Sequence, residues 1–163
     1  MRRFSDWLNG TAKGWVAIAA AVAFLLFVAL VLPAQAQIEA VDGAEVSSPD
    51  LSLWYTADQL YETAEAYGPQ GRDAYVRARI TFDVLWPLVY VAFLAATLSW
   101  VYRARRRASR FWQRANLLPV AAGLLDYAEN VCTATVMARY PAKTLLLDSL
   151  AAVFTVSKWS VLM

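Results

Sequence analysis

Six residues have chemistry that does not match their surroundings. Asp83, Asp126, Glu129, Asn130, Asp148 and Lys158 all fall inside long apolar stretches. A charged side chain at the centre of a membrane helix costs about 3 kcal/mol or more, so such residues face a bundle interior and mark proton, ion or ligand sites. Their spacing is ordered. Asp126, Glu129 and Asn130 stand at i, i+3 and i+4, which places them on one side of a helix, and Thr133 and Met137 continue that side. Asp148, Ala151, Thr155 and Lys158 follow a seam of roughly 3.5-residue period, as do Asp83, Pro87, Tyr90, Leu94 and Thr97. At a rise of about 1.5 Å per residue, Asp83 and Asp148 lie about one turn below one membrane surface. By the same count Asp126, Glu129 and Lys158 lie deeper, at similar depth.

The deep group holds two acids and one base. With all three ionised it carries an excess negative charge in a low-dielectric medium. A proton on one carboxyl, a bound cation or a cationic ligand would neutralise that charge. Asp126 is the natural partner of Lys158, which leaves Glu129 as the group to take the proton. Arg79, Arg139 and Lys143 are the cations near the shallower Asp83 and Asp148. An oxygen set of Asp126, Glu129, Asn130 and Asp83 would suit a hard cation such as Mg²⁺ or Ca²⁺. The depth of Asp83 sets it apart from the others, so no metal site is assigned. The alternative to chemistry is cohesion, because interhelical hydrogen bonds between buried polar side chains contribute about 0.6–2 kcal/mol each. Asn130 and Thr133 fit that role. Tyr90, Trp86 and Trp100 fit packing or interface anchoring, and Cys132 fits a small buried hydrophobe. Arg72 and Tyr75, at i and i+3, could line the mouth above Asp83 and hold an anionic head group, or serve as interface residues.

These side chains are positioned by an all-α framework. Of 163 residues, 60% are apolar or aromatic and only 17% are charged, more apolar surface than one soluble core of this length conceals. The reading is an integral membrane protein, a four-helix up-down transmembrane bundle forming one membrane domain. Its spans cover approximately 14–36, 79–103, 115–138 and 144–163, each long enough for the hydrocarbon layer. The first span has a rival reading as a signal peptide ending at Ala34-Gln35-Ala36, although its apolar stretch is longer than usual for one. It offers mainly Ala and bulky aliphatics, which suits packing. Residues 37–78 form an aqueous segment that begins as an acidic loop. Thr56-Ala57-Asp58-Gln59 then opens a short amphipathic helix as a capping box, with Tyr55 and Leu60 as its staple, and Gly68-Pro69 closes it. From about Arg72 to Arg103 a single long helix is expected, bent at Pro87.

Residues 103–114 carry six arginines and no acid. Basic loops stay in the cytoplasm, which puts both termini inside and the acidic segment outside. This gives a multi-pass cell-membrane protein, and the Ala-, Leu- and Arg-rich composition suits a bacterial inner membrane. The arginines serve topology and contact with anionic lipid, so no nucleic-acid partner is assigned. The chain has no histidine and one cysteine, which excludes His-based zinc or acid–base chemistry and internal disulfide chemistry.

Four spans with carboxylates inside the bundle are similar in architecture to sterol-isomerase and sigma-2-receptor-like membrane proteins. That likeness implies binding of a cationic amphiphile, or protonation of a lipidic double bond, and transfers no individual residue. The functional expectation is a bundle that binds a small amphiphile, lipid, proton or cation at the acidic cluster. The alternatives are a small membrane enzyme using Glu129 or Asp126 as general acid–base on a lipidic substrate, and a structural subunit acting as a homo-oligomer. No cofactor is indicated, and no Gly-xxx-Gly face announces an oligomer interface.

Overall fold

The computed structural model describes residues 2–33, 49, 52–104 and 114–163. Among them every regular element is helical. In chain order these are α1 (Arg2–Thr11), α2 (Gly14–Leu26, continuing as a π-helical turn over Phe27–Val31), α3 (Ala57–Ala66), α4 (Gly68–Ile80), α5 (Phe82–Ala104), α6 (Leu118–Arg139) and α7 (Leu147–Leu162). A 3₁₀ turn, Arg114–Leu117, leads into α6. The expected acidic loop, the Ala34-Gln35-Ala36 site and Arg105–Arg110 lie outside the described residues.

Local chemistry explains where these helices begin and end. At the start of α3 the Thr56 hydroxyl accepts from the Gln59 N–H at 3.2 Å, and the Gln59 side chain accepts from the Thr56 N–H at 2.9 Å. The staple residues Tyr55 and Leu60 are both buried. Gly68 turns the chain with φ +62, a left-handed conformation that side chains with a Cβ resist. Pro69 then sits in the first turn of α4, where its missing N–H leaves no helical bond unmade.

Two expectations about the elements need correction. The single helix expected from Arg72 to Arg103 is two helices, broken at Thr81 (φ −117, ψ −78). There the Thr81 hydroxyl donates back to the Arg77 carbonyl at 2.7 Å, and its N–H bonds the Ala78 carbonyl in a tightened last turn. The segment before α5 therefore holds two helices, α3 and α4. The basic start is also helical: α1 exposes Phe4 and Trp7, stacked at 5.8 Å, and buries Ser5. Further along the chain, α6 begins at Leu118 and α7 at Leu147.

Packing centres on α6, which runs along α7 and also meets α5 and α4. α3 lies across α6 and α7, and α2 packs on α5. The α2–α5 seam is aromatic: Phe24 stacks on Phe93 at 4.6 Å, and Phe24 and Phe27 both meet Trp86. Thus the first apolar helix contributes rings as well as aliphatic surface.

Among the described residues two helices are long and apolar enough to cross a membrane, Gly14–Val31 and Phe82–Arg103. The polarity of α6 and α7 is inverted relative to a water-facing helix. They bury Asp126, Glu129, Asp148 and Lys158 and expose Leu124, Val131, Val153 and Val156.

Pro87 leaves a gap in the backbone bonding of α5, because its ring displaces the preceding turn. The Tyr127 hydroxyl, from α6, donates to the Val84 carbonyl in that turn at 2.7 Å. One turn away Gly123 lets α6 lie close against α5: a Cβ there would stand 2.7 Å from Val91 Cγ2 and 3.9 Å from the Tyr90 hydroxyl. Gly123→Ala should therefore overpack the seam and lower stability by about 1–2 kcal/mol. Thermal unfolding in detergent would read this, and adding Val91→Ala should make the pair of changes less than additive.

Candidate functional site

The helical spacing brings the three deep residues into contact. Lys158 Nζ, from α7, lies 3.0 Å from Asp126 Oδ1 and 2.7 Å from Glu129 Oε2, both on α6. The expected Asp126–Lys158 pair is present, but the ammonium is shared, and Glu129 is the nearer partner. The remaining oxygens also receive donors. Thr155 donates to Glu129 Oε1 at 2.6 Å, and Tyr90 donates to Asp126 Oδ2 at 3.0 Å. Charge-assisted bonds of this kind are stronger than neutral ones. Glu129 has no exposed surface.

The cluster is closed by well-packed neighbours. Val136, Thr133, Thr155 and Ala151 have no exposed surface, and Met137 has almost none. Thr133 turns its hydroxyl back to the Glu129 and Asn130 carbonyls of its own helix, so it does not tie α6 to a neighbour through them. Asn130 is buried beside Glu129 on α6. Cys132 is a buried free thiol.

Two tyrosines reach this face, one ahead of α3 and one on α4. Tyr55, ahead of α3, packs with Cys132, Val136 and Ala151, and its hydroxyl sits beside Glu129 and Thr155 without meeting either at hydrogen-bond geometry. Burial, and then the Glu129 charge, push its ionisation well above the usual tyrosine range. Tyr75 on α4 is pushed up as well, first by burial, with Thr133 close by and acting in the opposite direction. Both hydroxyls thus remain neutral in the folded protein under ordinary conditions. They lie between the α3–α4 pair and Glu129.

No family model, curated protein or solved structure matches this chain.

The shallower acids are arranged differently. Asp83 pairs with Arg79 across the Thr81 break, and both side chains are buried. The Arg79 guanidinium also lies 4.1 Å from the centre of the Tyr75 ring. Asp148 accepts from the Tyr61 hydroxyl at 3.2 Å and from the Ser149 N–H and hydroxyl. No ion pair from Arg139 or Lys143 to Asp148 is found among the described residues. Lys143 instead lies over the Tyr61 ring, 5.6 Å from its centre, so a tyrosine stands where a direct ion pair was expected. Tyr61 also accepts from the Thr144 N–H at 2.7 Å, docking α3 at the entrance to α7.

Arg72 is engaged structurally. It donates to the Ala64 carbonyl at 2.7 Å and stacks on Tyr140 at 4.5 Å. Tyr75 is buried beneath Arg79 rather than lining an open mouth.

The sequence also concealed a second polar centre. Asn116, in the 3₁₀ turn before α6, is fully buried. Its side-chain oxygen accepts from the Ser5 hydroxyl at 2.8 Å, and its amide donates to Ser99 Oγ at 3.0 Å, the Ser5 carbonyl at 3.2 Å and Asn9 Oδ1 at 3.3 Å. This knot joins α1, α5 and the start of α6.

Proposed function

We propose that the chain is a four-span membrane protein that binds a proton or small cation in the Asp126–Lys158–Glu129 cluster, reached from the outer side. The observation that carries this reading is Glu129: without exposed surface, it shares one ammonium with Asp126, so two carboxylates answer to one cation. Excess charge of that kind is costly in an apolar layer until a positive charge joins it. The dense packing around the cluster favours the smallest occupants, a proton or a bare cation, over an amphiphile.

Four spans over 14–36, 79–103, 115–138 and 144–163 are supported by the inverted polarity of α6 and α7. Their apolar sides, Leu124, Val131, Val153 and Val156, would face lipid, while the charges pair inside. Segregation of the arginines at 103–114 from the acids at 39–50 supports cytoplasmic termini. In that arrangement α3 and α4 cover the outer mouth, and α1, with Phe4 and Trp7 exposed, lies along the inner surface.

Infrared difference spectroscopy of the protein in lipid nanodiscs tests the site. A pH change or a change of cation should produce a carboxyl band that disappears in Glu129→Gln and persists in an Asp148→Asn control. An unchanged band in Glu129→Gln, or none in the wild type, would refute the assignment. Native mass spectra from the same samples would reveal an amphiphile in place of a proton, as an added mass lost in Glu129→Gln. For topology, a cysteine at Ser47 should label from outside and one at Ser109 should not; the reverse pattern would overturn it.

A further inference from the structure

A second site lies at the junction of α2 and α5, away from the carboxylate cluster. An open cavity of about 320 Å³ is lined by Ala12, Lys13, Gly14, Trp100 and Arg103. Every polar side chain in that lining is a donor, two of them cationic, and no carboxylate is among them. Arg103 is held at the rim because its Nη1 donates to the Asn9 and Gly10 carbonyls at the end of α1, at 3.2 and 3.3 Å. Both of these bonds use Nη1, and among the described residues no carboxylate pairs with the guanidinium. Gly14 admits the Trp100 indole, whose Nε1 lies 3.3 Å from the point a Cβ would occupy. Lys13 is exposed beside it.

We propose that this cavity binds a phosphate group, with Lys13 and Arg103 supplying charge and Trp100 Nε1–H a directional donor. Guanidinium groups match phosphate oxygens with paired N–H groups, and an ammonium adds a mobile point charge. The volume accommodates a phosphate together with its first substituents. The phosphate could belong to an anionic lipid head group or be free in solution. The lipid source rests on the four-span reading, whereas the phosphate chemistry itself does not.

Two measurements separate the sources. In the first, protein is released from nanodiscs of phosphatidylcholine containing phosphatidylglycerol, and retained lipid is counted by native mass spectrometry. In the second, detergent-solubilised protein is melted in inorganic phosphate and in chloride at equal ionic strength. Lys13→Gln and Trp100→Phe serve as variants, since both leave the Arg103 bonds to α1 intact. If the phosphate is a lipid's, each variant should retain about tenfold less phosphatidylglycerol than wild type. If it is free phosphate, the stabilisation by inorganic phosphate should be present in wild type and reduced in both variants. Equal lipid retention together with an equal or absent phosphate effect in all three proteins would overturn the proposal. The carboxyl band of Glu129 is independent of this result, so the two sites fail or stand separately.

Discussion

Lys158→Met should be the most damaging single substitution in the chain, easing unfolding in detergent by about 3–5 kcal/mol. Methionine keeps the length of the lysine stem and removes its charge. The substitution leaves Asp126 and Glu129 on one helix face with the cation they share removed. Neither carboxylate can turn to water, because the Glu129 side chain has no exposed surface and that of Asp126 only 8%. Thr155 and Tyr90 would still donate to one oxygen of each, but a neutral hydroxyl does not replace an ammonium.

The loss should be recoverable from the acid side. In the Lys158→Met background, Glu129→Gln should restore part of the stability, and Asp126→Asn with it most of the remainder. A neutral network of similar shape is often as stable as the buried ion pairs it replaces. The denaturant midpoint of the four proteins would measure this. If Lys158→Met unfolds at the wild-type midpoint, the ammonium is not holding the carboxylates together. The triple variant also separates structure from chemistry. It should fold, yet lack the carboxyl infrared band that the wild type displays.

Helical periodicity made the deep cluster legible. Residues at i, i+3 and i+4 share a face whatever surrounds them, so Asp126 and Glu129 could be placed together from spacing alone. Rise per residue then put Lys158 at their level, and Thr155 followed from the same seam. The capping box at Thr56 and the stop at Gly68 were equally local. Partners chosen by tertiary packing were not legible. Tyr90 and Tyr61 are amphipathic rings, and nothing in the order of residues tells a packing ring from one whose hydroxyl reaches a carboxylate. Proximity to one membrane face suggested Arg139 or Lys143 for Asp148, but Tyr61 on α3 stands there instead. The break at Thr81 has no Gly or Pro to announce it; it accompanies the packing of α4 on α6 and the Arg79–Asp83 pair. The carboxylates also mask their own setting. Asp126 and Glu129 mark the site, yet they also make α6 less apolar than α2 or α5.

Asn116→Ala should lower stability by about 3 kcal/mol and release α1 selectively. Nothing in the spacing around Asn116 marks it, because its partners come from α1 and α5. Its side chain engages the Ser5 hydroxyl, the Ser5 carbonyl, Ser99 and Asn9 at distances of 2.8–3.3 Å, with no surface exposed. Alanine removes every one of these bonds and offers no replacement. Each buried polar group left without a partner costs about 1–3 kcal/mol. The buried Ser99 hydroxyl is the group most directly stranded. The Arg103 bonds to Asn9 and Gly10 remain, so α1 should loosen at Ser5 before it detaches at its C-terminal end. Hydrogen exchange should therefore accelerate over residues 2–8 while α6 and α7 keep their protection. Uniform acceleration across all helices would mean that Asn116 supports the whole bundle, and unchanged exchange would mean that α1 is held by its other contacts. Asn116→Asp is the informative companion. It keeps the acceptor that the Ser5 hydroxyl uses and loses the amide that donates to Ser99, the Ser5 carbonyl and Asn9, so it should free those three contacts while the Ser5 hydroxyl bond persists.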